Sequence, residues 1–170
     1  MQSRVLKSDL SLKEKERRYL LLRQKLESAG LSALIVYGGS QLGVPVHYLS
    51  RVWGIRLNAI IFPVSGEPVL LVPSNTGITG ETLAKQGCWI APENVYPSPD
   101  LAPDLAKHII RLKLQKSRMG IDSFRWWPVR DYQIFSSACP DVELVESHEL
   151  FGEVRGPKSD EELAEIEKAI

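Results

Sequence analysis

The chain has 170 residues, 44% hydrophobic and 25% charged, with Lys+Arg and Asp+Glu both at 21 and a formal net charge of zero. That balance describes a globular domain large enough for one core and excludes a disordered polymer or a membrane-embedded bundle. It supplies no basic excess to draw in nucleic acid or an anionic bilayer, so neither is expected as a partner.

Met1 to Asp9 contain no apolar stretch of the signal-peptide kind, and the expected location is cytoplasmic. Ser11-Leu-Lys-Glu14 reads as a capping box opening a helix to about Ala29, with Tyr19, Leu22 and Leu26 on its apolar side and Gly30 as its stop. Ala33 to Tyr37 is an uninterrupted apolar run, the pattern of a buried central strand. Leu57–Phe62 and Pro68–Val72, joined across Ser65-Gly66, form a predicted hairpin. Next come a helix over about Gly77–Gln86, a strand near Cys88–Ile90 and a Pro/Ser-punctuated loop over Pro92–Pro99. A helix from about Asp100 to Gln115 carries Leu101, Leu105, Ile109 and Leu112 on one face. A strand near Met119–Ile121, a helix over Pro128–Ser137 and a strand over Val142–Val145 follow. Helices alternating with buried strands predict a three-layer α/β/α fold with a mixed sheet of about five to six strands. Cys88 and Cys139, far apart among apolar neighbours, are expected as buried free thiols.

The tail is the most specific local signal. Ser159 with Glu162 is a second capping box, and Asp160, Glu161 and Glu162 place negative charge at the positive end of the helix dipole. Leu163, Ile166 and Ile170 then recur at i, i+3 and i+7. Helices shorter than about 12 residues are marginal alone, so this stripe is expected to pack on structure outside the chain. The expected organisation is a domain over 1–154 followed by a linker and the first helix of a further domain over 155–170.

Catalytic signatures are sparse. The sequence has no Gly-x-x-x-x-Gly-Lys loop, Gly-x-Ser-x-Gly elbow or Cys-x-x-Cys pair, and Gly38-Gly39-Ser40 opens no long helix of the nucleotide-binding kind. The histidines His47, His108 and His148 form no ligand pair, and two-metal hydrolysis needs several converging carboxylates. No metal site, catalytic residue or cofactor is therefore expected within these residues. His108 reads as solvated or half-buried, His148 as a cap or surface residue, and Asp122 as a strand-terminal acceptor of loop N–H groups. Of the adjacent Trp126 and Trp127, helix geometry lets only one enter a single core.

Leu26-Glu-Ser-Ala-Gly30-Leu-Ser-Ala-Leu-Ile-Val, Tyr48-Leu-Ser, Phe62-Pro-Val-Ser-Gly66-Glu-Pro, Gly120-Ile-Asp122 and Arg155-x-x-Lys158-Ser-x-Glu161-Glu-Leu occur in this order. Together they resemble the N-terminal domain of the creatinase, aminopeptidase P and prolidase family. The resemblance implies a ribonuclease H-like topology and a bridge into a C-terminal pita-bread domain holding two divalent ions (Mn, Co or Zn). It also implies a homodimer, a peptide or small amide substrate for the whole protein, and a non-catalytic role for this part in shaping the substrate pocket.

The segment His47 to Arg56 gathers His47, Arg51, Trp53 and Arg56 on a connection before a strand, and exposed aromatic and guanidinium groups on loops are the usual material of recognition. By the resemblance Trp53 walls the pocket and Arg56 pairs with a substrate carboxylate. The alternative is that Trp53 plugs the sheet edge with Arg51 and Arg56 solvated above it. Pro45 and Arg51 depart from the family's usual Asn and Gly around the Tyr-Leu-Thr phrase, which leaves the substrate open. Two other functions fit the same sequence: a peptide-binding module of a metal-free pseudo-peptidase, as in histone chaperones, or a freestanding α/β ligand-binding domain.

Overall fold

The computed structural model describes residues 10–38, 44–52 and 57–168. The first helix, α1 (Leu12–Ser28), starts where the Ser11 hydroxyl accepts the Glu14 N–H. It ends in a Schellman turn with Gly30 at φ 66°, the Gly30 and Leu31 N–H groups donating to Glu27 and Leu26 carbonyls. Only half of the box expected at Ser11 forms. The Glu14 carboxylate is taken by Arg17 and Arg18, and the Ser11 N–H donates to Glu161 instead.

β1 (Ala33–Gly38) is buried at every position. β2 (Asn58–Pro63) and β3 (Val69–Pro73) form the predicted hairpin, turning through Gly66 at φ 94°. With β4 (Val95–Ser98), β5 (Arg118–Ile121) and β6 (Glu143–Glu146) they make a six-stranded mixed sheet in the order β4-β3-β2-β1-β5-β6. β2 runs antiparallel to both neighbours, and the remaining pairs are parallel. The carboxyl ends of every strand except β2 therefore share one edge, where β2 begins.

Alternate residues of each strand face opposite sides. Leu34, Val36, Ile60, Phe62 and Leu70 meet α1 and three shorter helices, α2 (Val44–Ser50), α3 (Gly80–Lys85) and α6 (His148–Arg155), named in chain order. Ile35, Ala59, Ile61, Leu71 and Ile121 meet α4 (Leu101–Arg111) and α5 (Val129–Ala138). Gly120 of β5 has no room for a side chain, since a Cβ there would lie 2.6 Å from Ser147 Oγ. The last helix is α7 (Asp160–Glu167).

Four expectations need correction. Cys88–Ile90 is not a strand: Trp89 and Ile90 are buried by packing, and the Trp89 N–H donates to the Ser50 carbonyl. The strand in that region is β4, within the stretch read as a loop. Its Pro97 is tolerated because β4 is the edge of the sheet. The segment before β2 contains a helix, α2, whose Pro45 sits in the first turn where no backbone donor is needed. The helix expected from Gly77 starts only at the Thr79 cap, with Gly77 left-handed at φ 66°. Trp127 is buried, 6% exposed, while Trp126 is 43% exposed.

Candidate functional site

Two helix beginnings far apart in sequence meet at a buried charge network. Arg18, 3% exposed, places Nε 2.7 Å from Glu14 Oε1 and Nη2 2.9 Å from Glu162 Oε1. Its Nη1 donates to the Tyr48 carbonyl at 2.9 Å, and its guanidinium lies over the Tyr48 ring at 4.1 Å and the Trp89 ring at 5.1 Å. Arg17 closes the square with Glu14 at 2.8 Å and Glu162 at 2.9 Å. Ser11 adds two bonds to Glu161. Burial opposes ionisation of Glu14, yet the hydrogen bonds from Arg17 and Arg18 outweigh it and hold the carboxyl down at about 2. Two buried carboxylates and two guanidiniums satisfy one another, which is the condition under which buried charges are tolerated.

Beside this network a cleft of about 460 Å³ opens between α2, α6 and α7. Its apolar walls include Leu10, Val44 and Ile166, and its polar groups include Arg18, His47, Arg155 and Lys158. Burial, with Arg18 and Arg51 nearby, lowers the His47 pKa to about 4, so the ring is neutral at physiological pH. Lys158 is fixed by the carbonyls of Arg155 and Gly156, at 2.6 and 2.9 Å.

Of the residues the sequence singles out, two are described, and of these His47 lines the cleft while Arg51 does not. Arg51 is left-handed at φ 60° and acts as a staple, its guanidinium donating to the Leu10 carbonyl at 3.0 Å and lying 5.7 Å from the Trp89 ring. Trp53 and Arg56 lie outside the described residues. Arg155 opens the Arg-x-x-Lys phrase that the sequence marks as a bridge and not as a binding group, and no local signal marks Arg18 as a site residue, its partner Glu162 lying 144 residues away.

Asp122 departs from its expected role. It directly follows β5 and is 4% exposed, but its Oδ1 has no hydrogen-bond partner among the described residues. The His148 Nδ1 lies 3.8 Å away, and burial raises the Asp122 pKa against the opposing charge of Arg155. His108 is also more buried than expected, 6% exposed, with its ring 4.4 Å from that of Tyr96. Among the described residues no three of His, Cys, Asp and Glu converge as a metal would require. Cys139 is buried and Cys88 half-buried, both as free thiols. No helix is long and apolar enough to cross a membrane among the described residues.

The model of the creatinase/prolidase N-terminal domain matches residues 18–156. Among solved structures, an Xaa-Pro aminopeptidase from Streptococcus thermophilus aligns with TM-score 0.60 and 22% identity over 83% of this chain and 98% of that one. The N-terminal domain of the cytoplasmic peptidase PepQ from Mycobacterium tuberculosis H37Rv gives 0.63 and 19%, over 82% and 98%. A prolidase from Thermococcus sibiricus gives 0.69 and 17% over 91% of this chain but only 40% of its own length. No curated protein matches significantly by sequence. The six-stranded sheet is the fold of these peptidase domains, and with the family match across most of its length this chain belongs to the creatinase/prolidase N-terminal domain family.

Proposed function

We propose that this chain is the non-catalytic N-terminal part of a metal-dependent Xaa-Pro peptidase or a related C–N hydrolase. Residues 1–154 are the domain, and residues 155–170 are the linker and the first helix of the catalytic domain. The observation that carries this reading is the posture of α7. Its N-terminal carboxylates bond to Ser11, Arg17 and Arg18, while Leu163 and Ile166 remain 46% exposed each. A helix fixed at its polar end with an uncovered apolar stripe is built to continue into something. The peptidase names of the structural relatives support this over a metal-free binding module.

The described residues do not fit a dinuclear centre. His47 sits beside Arg18 and Arg51, and His148 faces the single carboxylate of Asp122. The two divalent ions are therefore proposed for the polypeptide beyond this domain, and no step of hydrolysis is assigned to this chain. Its contribution is dimerisation and closure over a peptide or small amide, with Trp53 and Arg56 the proposed substrate contacts and β2, next in sequence, starting at the carboxyl edge of the sheet. In open α/β sheets ligands bind at that edge.

The test compares the 170-residue chain with the same chain extended by whatever sequence follows it in its gene. Both are assayed on Ala-Pro and longer Xaa-Pro peptides with added Mn²⁺ and with chelator. Turnover by the extended protein alone supports the reading. Turnover by the 170 residues, or an extension lacking any carboxylate and histidine ligand set, defeats it.

A further inference from the structure

We propose that the cleft between α2, α6 and α7 binds a small carboxylate bearing an apolar group. The inference stands on the cleft alone and does not depend on the peptidase reading.

The cleft's cations differ in what they have left to offer. Arg18 is saturated by Glu14, Glu162 and the Tyr48 carbonyl. Two donors of Lys158 are held by carbonyls. Arg155 is the exception: its guanidinium stacks 4.9 Å from the Phe151 ring, and its buried Nε has no hydrogen-bond partner among the described residues. Asp122 acts on it through space without a hydrogen bond. A planar guanidinium already oriented by an aromatic face presents a fork that matches a carboxylate bidentately.

The surroundings select the rest of the ligand. Leu10, Val44 and Ile166 line the walls, and Val44 remains 56% exposed, so an apolar group would be covered on entry. Glu162 and Glu165 also line the cleft, but their charges are met by Arg17, Arg18 and Lys168. The volume of about 460 Å³ far exceeds the roughly 30 Å³ of one water molecule and suits a dozen or so heavy atoms.

The probe is N-acetyl-L-leucine, titrated into the 170-residue protein and followed by amide chemical shifts, beside N-acetyl-L-leucinamide, which keeps the apolar group and lacks the charge. A ligand of that size is expected to bind in the millimolar range. Shifts should centre on α2, α6 and α7, and affinity should fall at least tenfold for the amide and for Arg155→Gln. Arg155→Lys, which keeps the charge but not the fork, should fall several-fold, and Arg111→Gln, on α4 across the sheet, should bind as wild type. Acetyl-Ala-Ala-Leu separates the sources of such a carboxylate: tighter binding than acetyl-leucine assigns a peptide C-terminus, and equal binding assigns a free acid. Should Arg155→Gln fail to fold, the acid-against-amide comparison on the wild type still decides. Equal affinity for acid and amide, or shifts elsewhere, overturns the proposal.

Discussion

Replacing Glu14 by Gln removes one charge from the α1–α7 network while keeping the shape of the side chain. The carboxyl is 3% exposed and titrates near 2, against 4.5 for an unhindered glutamate. Because the folded value is depressed, the unfolded chain binds the proton first. The stabilisation is therefore fully present above about pH 4.5 and drains away as pH falls towards 2. Linkage over that interval gives at most about 3 kcal/mol at pH 7, falling to roughly 1 by pH 3. Stranding Arg18 with one carboxylate fewer falls in the same range, roughly 3–5 kcal/mol for a broken buried pair. Urea unfolding of wild type and Glu14→Gln, followed by circular dichroism at several pH values from 7 to 3, measures the difference directly. The gap should be large at neutral pH and narrow on acidification. Two stability curves that stay parallel from pH 7 to 3 would refute the linkage argument, whatever their separation.

His47 should stay neutral, its proton resonances showing no titration between pH 5 and 8; a midpoint near 6.5 would mean that the half-buried ring is not held beside Arg18 and Arg51 as described. With the folded pKa below the unfolded one, His47 costs stability as pH falls from about 6.5 towards 4. Of the adjacent indoles, Trp127→Ala should destabilise by about 3–5 kcal/mol and Trp126→Ala by about 0.5 or less, read from thermal unfolding, because only the first is packed among Tyr37, Phe124 and Phe135.

What could be read from the sequence was what local physics decides. The apolar run of β1, the cap and stripe of α1 and the hairpin of β2 and β3 each need only a few neighbouring residues to specify them, and each appears. Trp89 and Ile90 misled because burial beneath a loop leaves the same apolar pair as burial in a strand. β4 was hidden by Pro97, acceptable only at an edge whose position depends on the whole sheet. The short helices α2 and α6 have one or two turns each, too few to display a period. The site was less legible still. Arg18 reads locally as a solvated helix charge, and nothing near it announces a partner 144 residues away.

Glu162 joins the legible and the illegible in one carboxylate. Its Oε2 accepts the Ser159 N–H, closing the local capping box, and also takes Arg17, while Oε1 takes Arg18. Glu162→Gln separates these roles, because glutamine serves equally at the third position of a capping box but brings no charge to two guanidiniums. If packing alone held α7, the variant would leave it unchanged. The exposure of Leu163 and Ile166 argues otherwise, since little apolar area of this eight-residue helix is buried against the domain. A helix of that length does not persist unsupported. Hydrogen exchange of the amides from Leu163 to Glu167 should therefore accelerate at least tenfold in Glu162→Gln, with the amides of β1 unaffected, and wild-type protection in the variant would show that α7 is held by contacts other than these ion pairs.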